Sequence, residues 1–156
     1  MDLSINNFLS QYGIYTGTYI YCLISGIVPF VNAEVFLVFV SSIVSKPLLL
    51  PVLFLATAGQ MTSKAIIYLS GKGILKLSYK RYEKKITETR EKMKKWESKI
   101  GIFIFISAFT GFPPFYVTTI VIGTINYNFF SFFIIGFLGR LLRFGILIVF
   151  PQIFRW

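Results

Sequence analysis

The chain of 156 residues lacks residue types that chemistry at neutral pH often uses. It contains no histidine, the commonest metal ligand and proton shuttle, and a single cysteine, Cys22, which excludes an intrachain disulfide. We therefore expect no metal site and no cofactor. The first 13 residues contain no Lys or Arg and so lack the basic region of a secretory signal. We expect the first segment to be retained.

Catalytic combinations of side chains are missing as well. The sequence has six acidic residues against 16 basic ones, and it offers neither paired carboxylates nor a nucleophile beside a base. The protein is therefore not predicted to be an enzyme.

Apolar residues, in contrast, are abundant. Hydrophobic residues make up 55% of the chain and aromatic residues 19%, and the mean hydropathy is +0.71. Only 14% of residues are charged, against roughly a quarter in soluble domains. This composition predicts a multi-pass protein of the cell membrane. The length leaves room for about four to six embedded segments, so we predict a single membrane domain over residues 1–156.

The basic residues are concentrated in the middle of the chain. Of the 16 Lys and Arg residues, 11 lie within residues 72–99. The positive-inside rule places this segment in the cytoplasm, between a first half, 1–71, and a second half, 100–156. Apolar residues recur there at every third or fourth position, which predicts an amphipathic helix. Such a helix serves either as a solvated linker or as an interfacial helix on anionic lipid.

The two apolar halves show the same order of features: a proline-broken segment, at about 20–45 and 101–127, and then a long helix. Prolines inside apolar runs mark broken or re-entrant helices. We therefore predict an all-α integral membrane fold, an inverted repeat of re-entrant helical hairpin plus transmembrane helix. The alternative is two ordinary kinked hairpins with both termini inside. The corresponding pairs in the two long helices are Gly59 with Lys64 and Gly139 with Arg143.

Few ionisable residues lie within the apolar halves. The candidates for a buried substrate site are four of these and two neutral polar residues: Glu34, Lys64, Arg140, Arg143, Asn32 and Gln60. A charge inside a membrane costs free energy and marks a functional site. Three cations against one carboxylate leave a surplus of two positive charges, which predicts uptake of an anionic phosphate group.

Other roles are open for two of these residues. Glu34 either holds an arginine in place or exchanges a proton when the ligand binds, and the alternative is a purely structural pairing with an arginine. Lys64 lies eight residues before Lys72, about 12 Å along a helix, so it is alternatively an interfacial lysine that extends to the cytoplasmic surface.

Four segments in this order resemble the DedA superfamily, whose shared core is called the VTT domain. They are "VPFVNAEVFLVFVSS", "TAGQMTSKAIIYLSGKG", "FTGFPPFYVTTIVIGTINYNFF" and "GFLGRLLRFGIL". The last of them is similar to the final helix of the small YqaA-like branch. The resemblance covers about residues 20–150. It rests mainly on the order in which the four segments occur.

The resemblance implies two re-entrant hairpins that meet in the membrane and movement of lipids between leaflets. Bacterial relatives recycle undecaprenyl phosphate, and eukaryotic ones scramble phospholipids. Glu34 matches the first-hairpin acid, and Arg140 and Arg143 match the basic pair of the last helix. The chain departs from the pattern at "PPFYVTT", which has no arginine, and at Gln60, where an acid is common. Proton coupling and the particular lipid therefore do not follow from the resemblance.

We predict a flippase or scramblase that moves a phosphate-bearing lipid between leaflets, either a polyprenyl phosphate such as undecaprenyl phosphate or a phospholipid. Its partners would be membrane lipids with an anionic phosphate headgroup and not nucleic acid, and the sequence leaves a homodimer open. Two other functions are compatible with the sequence. One is a small ion- or proton-coupled transporter of a solute or drug, and the other is a membrane assembly factor that transports nothing.

Overall fold

In the computed structural model, most of the described residues lie in α-helices. The described backbone covers residues 2–28, 30–95 and 97–153, and the described side chains cover residues 12–28, 30–73, 98–151 and 153. Within these ranges the helices are α1 (Asp2–Ile27), α2 (Ala33–Ile43), α3 (Lys46–Lys95), α4 (Glu97–Thr110), α5 (Phe115–Thr124) and α6 (Phe129–Ile153). The described backbone contains no β-strand, so the predicted all-α class is confirmed.

Each half of the chain contains two helices joined by a short break. α2 has 11 residues and α5 has 10, so each is about 16 Å long or slightly less. This is about half the thickness of the hydrocarbon core of a bilayer. The break before α5 includes the predicted prolines, Pro113 and Pro114, whereas Pro29 lies outside the described residues. The first arm, α1, begins at Asp2 rather than near residue 20.

α3 continues without interruption from the first apolar half into the basic segment. Its backbone is helical from Lys46 to Lys95, so the helix predicted within residues 72–99 is present as far as Lys95. The side chains of residues 74–97 lie outside the described part, and the predicted amphipathic face lies there with them. Two helical stretches are long and apolar enough to cross a membrane, Lys46–Gly73 in α3 and Phe129–Pro151 in α6.

The chain divides into two compact units, and each contains one hairpin with parts of α3 and α6. Unit 1 comprises Met1–Ser63 and Phe144–Trp156, and unit 2 comprises Lys64–Arg143. The division therefore falls inside the two long helices rather than at the ends of the predicted halves.

The core of unit 1 is apolar and forms where α1, α2 and α3 pack with the end of α6. Its buried side chains are Cys22, Ala33, Leu37, Val40, Val44, Val52, Ala56, Phe144 and Ile148. Between α1 and α2 the rings of Tyr21 and Phe36 stack, with their centroids 4.0 Å apart. At the α1–α3 crossing, a Cβ on Gly59 would overlap the backbone oxygen of Tyr19. Glycine therefore lets the two backbones approach closely.

Unit 2 uses glycine in the same way. Gly123 of α5 packs directly on the backbone of Tyr68 in α3. A Cβ on Gly139 of α6 would lie only 2.8 Å from the methyl carbon of Ala108 in α4. The Tyr68 hydroxyl also donates a hydrogen bond to the carbonyl of Tyr127, in the connection between α5 and α6. These contacts fix α5 against α3 and α6 against α4.

Candidate functional site

The candidate site in unit 2 forms around the first turn of α5. Gly111 has a φ of +80°, a left-handed conformation that commonly follows the end of a helix and favours glycine. Pro114 is the N-cap residue of α5 and supplies no side-chain cap hydrogen bond. The first N–H groups of a helix have no partner within the helix and carry partial positive charge. The start of α5 therefore favours an anion.

A pair of hydroxyl groups holds the loop before α5 in place. Ser107 of α4 donates a hydrogen bond to the carbonyl of Pro113 at 2.7 Å, and its oxygen lies 2.9 Å from the Thr118 hydroxyl of α5. Because the one proton of Ser107 goes to Pro113, Thr118 is the donor to Ser107. Both side chains are buried. The hairpin thus satisfies these hydroxyls internally and keeps the start of α5 against α4.

Lys64 extends from α3 to this site. Its side chain is only 4% exposed, and its Nζ lies 5.5 Å from the centroid of the Tyr116 ring. At this distance the electron-rich face of the ring attracts the ammonium group. Burial of this degree argues against the alternative that Lys64 is an interfacial lysine.

Arg140 extends from α6 to the neighbouring aromatic residue. It is 9% exposed, and its Cζ lies 5.1 Å from the centroid of the Phe115 ring. Lys64 and Arg140 thus lie over the rings of two consecutive residues at the start of α5. The positive charge of Arg140 repels the ammonium group of Lys64. Two like charges in a buried site repel each other, so an anion beside them would stabilise both.

Arg143 binds the end of α4. Its Nη1 donates a hydrogen bond to the carbonyl of Phe109 at 2.9 Å, and its guanidinium packs beside Gly111. The last carbonyls of a helix lack partners within the helix and carry partial negative charge, which a cation offsets. The described contacts of Arg143 therefore stabilise the hairpin that carries the site.

Asn32 and Glu34 lie at the start of α2 in unit 1. The side-chain oxygen of Asn32 accepts hydrogen bonds from the backbone N–H groups of Glu34, at 2.9 Å, and Val35, at 3.4 Å, as a helix N-cap does. Glu34 is half-buried in the first turn, where a negative charge is favourable. Asn32 and Glu34 are therefore polar because they form the start of a helix, where the backbone N–H groups need an acceptor. The pairing of Glu34 with an arginine stays a prediction.

Gln60 joins α3 to α1 in unit 1. It is 5% exposed, and its Nε2 donates a hydrogen bond to the Ser25 hydroxyl at 2.8 Å. Ser25 in turn donates to the carbonyl of Cys22 at 2.9 Å. The Oε1 of Gln60 is buried and accepts no hydrogen bond from the described residues. The described contacts of Gln60 thus belong to the crossing of two helices.

The structure assigns the six predicted site residues to different units. Lys64, Arg140 and Arg143 surround one hairpin in unit 2, and Asn32, Glu34 and Gln60 belong to unit 1. Sequence reasoning missed the two rings beneath the cations, Phe115 and Tyr116. Their position directly after two prolines is the signal that could have drawn attention to them, because prolines there place a helix start.

Comparison of the chain with family models, with curated proteins and with solved structures finds no match. The resemblance to the DedA superfamily therefore stays a prediction that rests on the four quoted segments. The function must be argued from the geometry of the site itself.

Proposed function

We propose that the protein is a membrane transporter that moves a phosphate-bearing lipid between leaflets. One observation carries the proposal: two buried cations, Lys64 and Arg140, lie beside a helix start that has no side-chain cap. Burying one cation costs free energy, and placing two together adds repulsion. An anionic phosphate would offset both costs, because it accepts hydrogen bonds from a guanidinium group and from a helix N-terminus.

The sequence limits which acids could neutralise these cations instead. Residues 64–73 and 98–143, the described side chains of unit 2, contain no Asp or Glu. Outside the basic segment, Glu34 is the one carboxylate after Asp2, and it can balance a single positive charge. The surplus of positive charge supports an anionic substrate. In this proposal Glu34 acts as an arginine partner or as a group that exchanges a proton.

The outer surface of α6 supports a place in the bilayer. The stretch Phe129–Pro151 has a mean hydropathy of 2.1, yet only 33% of it is buried. The outward side chains are large and apolar, and they include Phe130, Ile134, Leu138 and Leu142. The core helix of a water-soluble domain buries such residues, whereas a membrane helix turns them toward lipid.

The short helices support the proposed re-entrant hairpins. α2 and α5 are too short to cross a bilayer alone. Both breaks carry a strongly exposed aromatic residue, Phe30 at 95% and Phe112 at 80%, and such tips suit a hydrocarbon environment better than water. We place residues 72–99 in the cytoplasm, with the hairpins entering the membrane from opposite sides as an inverted repeat.

Flipping of a fluorescent phosphate-bearing lipid in proteoliposomes tests the proposed function. The variants are Lys64→Gln and Arg140→Gln, which remove a charge and keep a polar side chain. Each is expected to slow flipping at least roughly tenfold, which corresponds to about 1.4 kcal/mol in the barrier. The matched control is Lys46→Gln, which removes an exposed cation at the start of α3 and should change nothing. Glu34→Gln is expected to slow flipping as well.

Three outcomes would contradict the proposal. The first is unchanged flipping by both variants when their thermal unfolding matches that of the wild type. The second is equally fast flipping of a diacylglycerol with the same fluorophore, because the cations would then not distinguish a lipid with a phosphate group from one without it. The third is uptake of a solute that depends on an ion gradient, without any lipid movement, which would indicate the solute transporter.

A further inference from the structure

A groove of about 500 Å³ lies between α4 and α6 in unit 2, and none of the three cations of the candidate site lines it. Its volume falls within the range of roughly 300–1,000 Å³ that ligand sites occupy. Gly101 forms part of the groove wall, and a Cβ there would come within 3.2 Å of Ile135 and 3.7 Å of the Tyr127 hydroxyl. The groove exists at this point because residue 101 has no side chain.

α4 and α6 run in the same direction along the groove. Gly101 lies beside Ile135, and further along both helices Ala108 lies beside Gly139. Residues at corresponding positions of the two helices therefore lie at the same depth in the groove, and their polarity can be compared directly.

The polarity of the wall changes in one direction along this axis. The hydroxyl groups of Ser98 and Ser131 lie toward one end, and Ile102 and Phe105 lie toward the other. The Tyr127 hydroxyl and the Ile135 side chain both lie beside Gly101, between the two ends. From Ser98 to Phe105, seven residues further along the chain, α4 rises by about 10 Å. A groove that passes from hydrogen-bonding groups to hydrocarbon over this length has the polarity profile of an amphiphile.

The charge around the hydroxyl end favours an anionic headgroup. Lys99, next to Ser98, is exposed, and it ends the basic segment 72–99. Basic residues beside a membrane surface attract anionic lipid. The backbone of Tyr127 is held in the groove wall because the Tyr68 hydroxyl donates a hydrogen bond to its carbonyl.

We propose that this groove binds one anionic phospholipid from the leaflet that faces residues 72–99. The phosphate and glycerol groups bind at Ser98 and Ser131, and one acyl chain lies along Ile102, Phe105 and Ile135. The inference rests on the proposed membrane location but not on transport. A direct binding measurement therefore separates its failure from a failure of the proposed function.

Photocrosslinking of the full chain tests the groove. The probe is phosphatidylglycerol with a diazirine on one acyl chain, present as a minor component of phosphatidylcholine vesicles. Adducts are expected within residues 98–105 and 127–135. Gly101→Leu fills the groove from its wall and is expected to lower the adduct yield roughly tenfold, because it replaces the apolar contacts of the acyl chain.

Controls keep the test decisive if Gly101→Leu fails to fold. Ile102→Trp, at a groove position that is 60% exposed, should lower the yield in the same way. Ile106→Trp, at a position 47% exposed on the same helix but outside the groove, should not. Adducts spread evenly over the apolar surface, or yields equal in both tryptophan variants, would overturn the proposal.

The hydroxyl end has its own test. In the double variant Ser98→Ala with Ser131→Ala, the preference for phosphatidylglycerol over a diacylglycerol with the same diazirine chain is expected to fall, because the headgroup loses its hydroxyl partners while Lys99 remains. Equal capture of both lipids by the wild type would contradict the proposed headgroup contacts. Displacement of the lipid by inorganic phosphate alone would indicate a phosphate site instead. A disulfide dimer formed by Ile102→Cys, with no lipid adduct, would show that a second copy covers the groove.

Discussion

Two helix crossings in this molecule are built alike but differ in charge. In unit 1, Gly59 of α3 packs on the backbone of α1, and the next residue, Gln60, hydrogen-bonds to Ser25. In unit 2, Gly139 of α6 packs on α4, and the next residue, Arg140, lies over Phe115. The first crossing is completed by a neutral amide and the second has a cation in the same position. Close packing of two helices therefore does not by itself call for an arginine.

The likeness extends one turn further along each long helix. Four residues after its glycine, Ser63 of α3 contacts Gly26 near the end of α1, and Arg143 of α6 contacts Gly111 just after the end of α4. The sequence comparison paired Lys64 with Arg143, whereas these contacts pair Ser63 with Arg143. Here too, a neutral residue in unit 1 stands where unit 2 has a cation. The described contacts of Arg143 stabilise the hairpin, so the contrast that bears on the proposed binding of an anion is the one between Gln60 and Arg140.

The largest loss of stability is expected when a cation is placed in the neutral crossing of unit 1. Gln60→Arg should lower the free energy of unfolding by about 3 kcal/mol, because the position is buried and its described side-chain partner is the neutral Ser25 hydroxyl. Thermal unfolding in detergent micelles measures the loss. Gln60→Met is the matched control, since it has similar length without charge and should cost less. An unchanged midpoint in Gln60→Arg would mean that either crossing tolerates an arginine, which would weaken the case for Arg140.

The two glycines should respond unequally to an added methyl group. Gly59→Ala is expected to lower the free energy of unfolding by about 2 kcal/mol, because the new Cβ meets the backbone oxygen of Tyr19, which cannot move alone. Gly139→Ala should cost about 1 kcal/mol, because its nearest contact is the Ala108 methyl group. Thermal unfolding compares the two variants. Ala108→Gly should rescue Gly139→Ala, and a failure of that rescue would contradict the assigned contact.

Neutralising the charged crossing should have little effect on stability. Arg140→Gln makes unit 2 resemble unit 1, and its free energy of unfolding is expected to stay within about 1 kcal/mol of the wild type, because relief of the repulsion from Lys64 offsets the lost contact with Phe115. Lipid flipping by the same variant should fall. A loss of several kcal/mol in thermal unfolding would assign Arg140 to the fold instead.

The sequence was sufficient for the break before α5, for the apolar stretches of the two long helices and for the burial of Lys64 and Arg140, but not for the start of α1 at Asp2. The α4–α5 break follows from Pro113 and Pro114, and the long helices follow from apolar composition, because both are local properties. The burial of Lys64 and Arg140 was also foreseeable, since each lies within an apolar run.

The partners of these residues could not be predicted, because they depend on which helices meet. Phe115 and Tyr116 follow two prolines, which place a helix start, but in a chain that is 19% aromatic no local feature pairs these two rings with Lys64 and Arg140. Likewise, the sequence does not indicate that Gln60 hydrogen-bonds to Ser25 of α1. Register between distant helices is a tertiary property.

The smallest effect concerns the starts of the short helices, which also differ between the units. Asn32 caps α2 with its side chain, whereas α5 begins without a side-chain cap. Asn32→Ala should therefore lower the free energy of unfolding by about 1 kcal/mol, because two backbone N–H groups lose their acceptor. Asn32→Ser retains a capping oxygen and should cost less. Thermal unfolding separates the two variants.

Lipid flipping then separates a capping role for Asn32 from a role in substrate binding. If Asn32 serves only α2, Asn32→Ser should flip lipid at the wild-type rate, since the cap and the start of the helix are preserved. If Asn32→Ser is stable but flips lipid slowly, Asn32 belongs to the substrate site. The contrast between the two hairpins would then no longer hold, because it requires that Asn32 only caps α2, whereas the start of α5 is open to an anion.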